Sequence, residues 1–245
     1  RRIVVRGNVI SDNLNNPEEV SFQAGGILVT ANSSDPQVES YDVVIEGNTV
    51  TNCQFGGIRA VSDVANPHVR LFIRRNTVNG SGTNGVITVD NVQFCEIADN
   101  TVVDDFTGAT YGIYVIEALD FRILRNTVSG VGRQGIYVEA AVSTRFSIAG
   151  NAVDSVGIGL ANCDGIKVNA TVANNAECEI AANTVRNTAA VANLTKGINI
   201  DADLDYWTLR DNDVDVGGSL ANAYVWTAPA HYTVSNNIGG EAGDL

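Results

Sequence analysis

The chain has 245 residues, 44% of them hydrophobic and 18% charged, with a formal net charge of −13. That apolar content supports a long core and excludes a disordered polymer, and the acidic balance argues against nucleic acid or anionic membrane as a partner. With 24 Gly, 4 Pro and recurrent Val, Ile, Thr and Asn, the composition is that of many short strands and tight turns, and a single all-β domain over 1–245 is expected.

The sequence opens at Arg1-Arg2-Ile3, already inside a strand pattern, and contains no Met, so it reads as a piece of a longer or processed polypeptide. One phrase then repeats: an apolar alternation, Asn, any residue, and Val or Ile. It falls at Asn8, Asn48, Asn76, Asn100, Asn126, Asn151, Asn183 and Asn212, with an atypical copy at Asn237 of the kind expected at the end of a stack. The intervals run from 24 to 40 residues, so a unit of about 25 carries inserted loops, over 11–24, 31–40, 103–110, 155–163 and 187–195. Ahead of each Asn, alternate residues such as Val43 and Ile45, Leu71 and Ile73, or Phe121 and Ile123 point inward with the strand period of two. Behind it, Val50, Val78, Val102, Val128, Val153, Val185 and Val214 mark a short further strand.

A second phrase, Gly followed by an alternating strand, occurs at Gly26, Gly57, Gly85, Gly112, Gly135, Gly165 and Gly197. Three strands per unit and period two exclude an α-solenoid and predict a right-handed parallel β-helix of about eight to nine coils. The recurring Asn is expected at a turn, where it tolerates left-handed backbone and stacks with its neighbours as a hydrogen-bonded ladder.

Alternate residues of the Gly-led strands should form outward columns. Two after each Gly stand Leu28, Arg59, Ile87, Tyr114, Tyr137, Lys167 and Asn199; four after it stand Thr30, Val61, Val89, Ile116, Glu139, Asn169 and Asp201. Tyr114 beside Tyr137 makes a sugar-stacking platform, with Arg59, Asn169, Asn199 and Glu117 as further substrate contacts and Asp90 near a strand end. Glu139 and Asp201, two coils apart, would stand about 9–10 Å from each other by strand spacing, close to the carboxylate separation of inverting glycosidases. Elimination would instead use Arg59 or Lys167 to neutralise a uronate carboxylate and Tyr137 as base. Leu28, Ile87, Val61 and Val89 could form an apolar subunit interface.

Cys53, Cys95, Cys163 and Cys178 lack metal or disulfide spacing and read as buried free thiols. No cofactor is expected; calcium is the metal considered, because Asp201-Ala202-Asp203-Leu204-Asp205 and Asp211-Asn212-Asp213-Val214-Asp215 alternate carboxylates, but neither has the Gly and Glu of a calcium loop. His68 and His231 stand too far apart along the shaft to share a site.

The repeats Ile45-Glu46-Gly47-Asn48-Thr49-Val50 and Arg125-Asn126-Thr127-Val128 resemble those of the pectin-lyase-like superfamily of β-helices, and the resemblance covers essentially the whole chain. It implies a polysaccharide partner, with no nucleic acid and no membrane insertion, and a hydrolase or lyase acting on a bacterial surface or uronic-acid polysaccharide. A phage tailspike, trimeric and located on the virion, or a secreted protein would fit it. The alternative is a non-catalytic glycan-binding or structural shaft. Asp164-Gly165-Ile166-Lys167 is similar to a fragment of polygalacturonases, without their accompanying paired Asp.

Overall fold

The computed structural model describes residues 2–11, 26–31, 42–53, 56–62, 67–81, 85–104, 110–140, 145–158, 163–170, 178–188, 194–200, 206–215, 222–226 and 231–239. Every strand pair among them is parallel and joins one coil to the next, for example Val43 to Leu71 to Cys95 to Phe121 to Phe146 to Cys178 to Trp207. The chain is a right-handed parallel β-helix. The Gly-led strands form a first face, the strands before each Asn a second, and the strands after it a third, which is a separate eight-stranded sheet.

The coil count is smaller than the sequence suggests when three separate strands are required. Five coils meet that description, those beginning at Ile27, Ile58, Ile136, Cys163 and Leu194. In two others the first and second strands run together as Gly85–Ala98 and Tyr111–Leu124, of 14 residues each. No loop is inserted there. Single left-handed residues, Asn91 at φ 54° and Glu117 at φ 50°, turn the corner instead.

The interior is filled by like residues in register. Ile45, Ile73, Ile97, Ile123 and Ile148 are each 0% exposed, and so are Val50, Val78, Val102 and Val128 on the third face. Glycines such as Gly135 are required by closeness: a Cβ there would lie 2.4 Å from Val153 Cγ1 and 2.8 Å from the Gly165 carbonyl oxygen. All four cysteines are buried and unbridged, Cys95 and Cys178 in the interior column of the second face.

The Asn ladder exists, but its backbone role is not the expected one. The left-handed residue is the one before each Asn: Gly7, Gly47, Arg75, Asp99, Arg125, Gly150, Ala182, Asp211 and Asn236, with φ between 52° and 67°. The Asn itself serves through its side chain. Each Nδ2 donates at 2.9–3.0 Å to Oδ1 of the Asn one coil on, from Asn8 to Asn237. The same Oδ1 accepts the preceding coil's Asn N–H, and the second amide hydrogen reaches back to a carbonyl such as Ile97 O. Turning the corner one residue earlier frees Asn to point into the shaft, where Asn126 is 1% exposed.

The second calcium candidate is absorbed by the same lattice. Asp211 pairs with Arg210, Asn212 is a rung, and Asp213 pairs with Arg186. Asp201 to Asp205 lie outside the described residues.

Replacing Asn126 with Ala strands the Asn100 donors and the Ile97 carbonyl in the interior, and a loss of about 3 kcal/mol is expected in denaturant titration. Asn237→Ala, at a part-exposed rung where water substitutes, should lose clearly less.

Candidate functional site on the first face

The first face differs from the expected columns in one coil. Ile58 pairs with Ile87 and Arg59 with Thr88, while Tyr111 pairs with Gly85, so Val86 rather than Gly85 matches Gly112. A one-residue slip reverses every side chain. Ile87 and Val89 are therefore inward and 0% exposed, and the expected apolar interface strip loses two of its four members. The outward residues of that coil are Thr88 and Asp90.

The corrected columns bring the polar groups together differently. One runs Arg59, Thr88, Tyr114, Tyr137, Lys167, Asn199; the other runs Val61, Asp90, Ile116, Glu139, Asn169. Asp90 is thus in line with Glu139, two coils away. Their backbones stand about 9–10 Å apart by strand spacing. Asp201, the partner expected for Glu139, lies outside the described residues.

Tyr114 and Tyr137 stack with ring centroids 5.2 Å apart and planes within 7°. Tyr111, which no column contained, closes the cluster at 4.7 Å from Tyr114 and 5.0 Å from Tyr137. Arg133 holds it there, donating to the Tyr111 hydroxyl at 2.6 Å with its guanidinium 5.1 Å from the ring centre. Tyr114 donates its hydroxyl hydrogen to Glu139 Oε2. Burial, reinforced by that carboxylate, pushes the Tyr114 phenol above its ordinary range, so its hydroxyl stays protonated as the hydrogen-bond donor to Glu139. Asn169 Nδ2 donates to the Tyr137 hydroxyl at 3.3 Å, and Lys167 Nζ lies 5.9 Å from the Tyr137 ring centre.

Of the two cations considered for elimination, Lys167 therefore adjoins Tyr137, whereas Arg59 is three coils away. Arg59 is 8% exposed, and its burial lowers its pKa against the opposing pull of Asp90. Asn199 is also buried, at 3%, and donates to Asp164 Oδ2 at 2.9 Å, so it braces the face from within. Desolvation raises the Asp164 carboxyl although Asn199 and two lysines pull it back.

Asp90 is the most perturbed carboxylate of the site. Desolvation, then repulsion from Glu117, raises it to about 6, against the smaller opposing effects of Arg59 and of Asn91. Glu117, at the left-handed corner, faces it from the next coil. The sequence offered a signal for Asp90, since a Val-Ile-Thr-Val-Asp run fits either phase of the alternation; only pairing with Ile58 decides the phase.

Parallel coils and an internal Asn ladder define a right-handed parallel β-helix protein, and the aromatic–carboxylate column on its first face is its candidate site. More specifically, the chain belongs to the NosD family, whose model, described as periplasmic copper-binding protein, matches residues 30–176. Among solved structures, the A-module of the mannuronan C-5 epimerase AlgE6 from Azotobacter vinelandii is similar at 13% identity and a TM-score of 0.41, over 83% of this chain. The chain spans 65% of the length of that module. Comparison with curated proteins finds no match.

Copper is held by thiolate, thioether and imidazole donors. The chain has no Met, and its cysteines are buried, which pushes Cys163 up to about 11 and Cys178 up to about 12. His68 is 0% exposed, and His231 lies flat against Tyr206. No group of three or more His, Cys, Asp or Glu able to hold a metal occurs among the described residues. These residues do not fit a copper site.

A carboxyl whose folded-state pKa is raised adds stability below its ordinary value and loses it as pH rises through the folded one. Asp90→Asn should therefore stabilise the protein above about pH 6, and the gain should vanish near the unperturbed 3.8. Thermal melts across that range should show a difference on the order of 1 kcal/mol, well below the full shift because the group is only partly buried and solvent screens it.

Proposed function

We propose that the protein hydrolyses a polysaccharide laid along the first face, with Asp90 as general acid and Glu139 as general base. The observation that carries this reading is their placement in one outward column two coils apart, beside stacked tyrosines, with Asp90 held at about 6. Sugar rings pack their apolar faces on Tyr114 and Tyr137, and Asn169 and Lys167 orient the next residue. Asp90 delivers its proton to the leaving glycosidic oxygen as the bond to the anomeric carbon breaks. Glu139 takes a proton from the water that attacks the opposite side of that carbon, so configuration inverts. Burial, and then repulsion from Glu117, raise Asp90 toward its protonated form, and the Tyr114 hydroxyl fixes the Glu139 carboxylate. The family's description as periplasmic supports action outside the cytoplasm.

Incubation with a panel of bacterial surface and uronic-acid polysaccharides should release new reducing ends without unsaturated ends. Asp90→Asn and Glu139→Gln should each lower kcat at least ~100-fold, within the range of one acid or base. Tyr137→Ala should act mainly on KM. Activity should fall as pH rises through about 6, where Asp90 loses its proton. Unsaturated ends would show elimination, with Lys167 and Tyr137 as the pair to test. Binding without any product would leave a glycan-binding module.

A further inference from the structure

The second face carries a concavity that the proposed reaction does not use. Two adjoining depressions share Phe146 and Ser147. One, ≈ 390 Å³, is bounded by Phe94, Asp120, Arg122 and Arg145. The other, ≈ 480 Å³, is bounded by Glu179, Tyr206, Trp207 and Thr208. They span six strands in register, from Phe94 to Thr233. Five spacings make roughly 24 Å, the reach of an extended chain and not of a single small molecule.

The two ends of this groove offer different chemistry. At one end lie exposed flat rings. Tyr206 is 57% exposed and stacks on His231 at 4.4 Å with planes 3° apart, while Tyr232 continues the interior column beneath Trp207 at 5.3 Å. Tyr206 holds φ 57°, a conformation that costs a bulky residue on the order of 1 kcal/mol or more. At the other end stands Arg122. Of the other arginines on this face, Arg6 meets Glu46, Arg70 meets Asp42, Arg74 meets Glu96, Arg145 meets Asp120 and Arg210 meets Glu179, and Arg2, on the first strand and away from the groove, meets none among the described residues. Arg122 pairs with none among the described residues, and its contact is the ring of Phe94, 6.0 Å away. Glu96, beside it in the column, is already held by Arg74.

A guanidinium without a carboxylate, inside an aromatic-floored depression of a protein with net charge −13, selects an anionic group. A single cation does not track a phosphate backbone, which argues against nucleic acid. We propose that this groove is a second binding site, separate from the first-face reaction, for an acidic oligosaccharide. A uronate carboxylate meets Arg122, and a pyranose face about three coils further on rests against Tyr206.

Calorimetric titration of the whole chain with oligogalacturonates, oligomannuronates and oligoguluronates should show binding of at least one. Its methyl ester should bind at least ten times more weakly. Arg122→Gln, an exposed change, should weaken binding of the acid at least tenfold, and Tyr206→Ala should weaken acid and ester alike. Tyr137→Ala, on the first face, should leave this binding unchanged. The proposal is overturned if no uronate binds, if Arg122→Gln binds as the parent does, or if a single-stranded oligonucleotide binds more tightly than every uronate. Loss of binding on Tyr137→Ala with none on Arg122→Gln assigns the ligand to the first face, which sinks this site and leaves the proposed reaction standing.

Discussion

The asparagine ladder is the constraint on which the rest of the molecule depends. A β-helix has no hairpin to set strand register, so each coil must find its level on the previous one by other means. A buried amide that accepts two hydrogen bonds from one neighbour and gives one to the next has a single acceptable height. A coil shifted by one residue would strand several donors at once. Because the rungs are continuous from Asn8 to Asn237, each coil inherits the phase of the last. The left-handed residue before each Asn makes this possible by completing the turn before the amide enters the shaft.

Columns follow from that phase. Interior positions become stacks of like residues, so the Phe121 and Phe146 rings lie parallel at 5.1 Å. Exterior positions become lines of side chains about 4.8 Å apart. The same rule that stacks isoleucines inside stacks Tyr114 on Tyr137 outside and lines up Asp90 with Glu139. On the second face the rule yields arginine–carboxylate pairs between adjacent coils, such as Arg145 with Asp120. Exposed pairs of this kind add little stability. Within the groove they leave Arg122, over the Phe94 ring, as the guanidinium with no carboxylate partner among the described residues.

Membership of the NosD family and the chemistry of the described side chains point in different directions. The family description names copper. The thiols here are buried, two of them in positions where apolar residues of various sizes serve equally well: Cys95 and Cys178 share a column with Val43, Leu71 and Phe121. A thiol raised by burial is a poor ligand, since the metal requires the thiolate. The lateral faces carry the polar chemistry instead, on a shaft whose shape suits long chains.

The recurrence of Asn and Gly and the period of two determined the architecture, the inward residues of most coils and the tyrosine platform, because these depend only on spacing along the chain. Sequence alone also placed Glu139, Lys167 and Asn169 on one face, and the paired strands keep them there. It could not decide between adjacent phases of Gly85-Val86-Ile87-Thr88-Val89-Asp90, where a Gly stands one residue out of step and either set of alternate side chains is plausible. Only pairing with Ile58 below and Ile113 above put Ile87 inside and Asp90 in line with Glu139. Burial of Asp90 beside Glu117, the loss of Asn199 to Asp164, and the groove around Arg122 are likewise properties of neighbouring coils. They arise between residues some 25 or more positions apart, and no local pattern records which of them will meet.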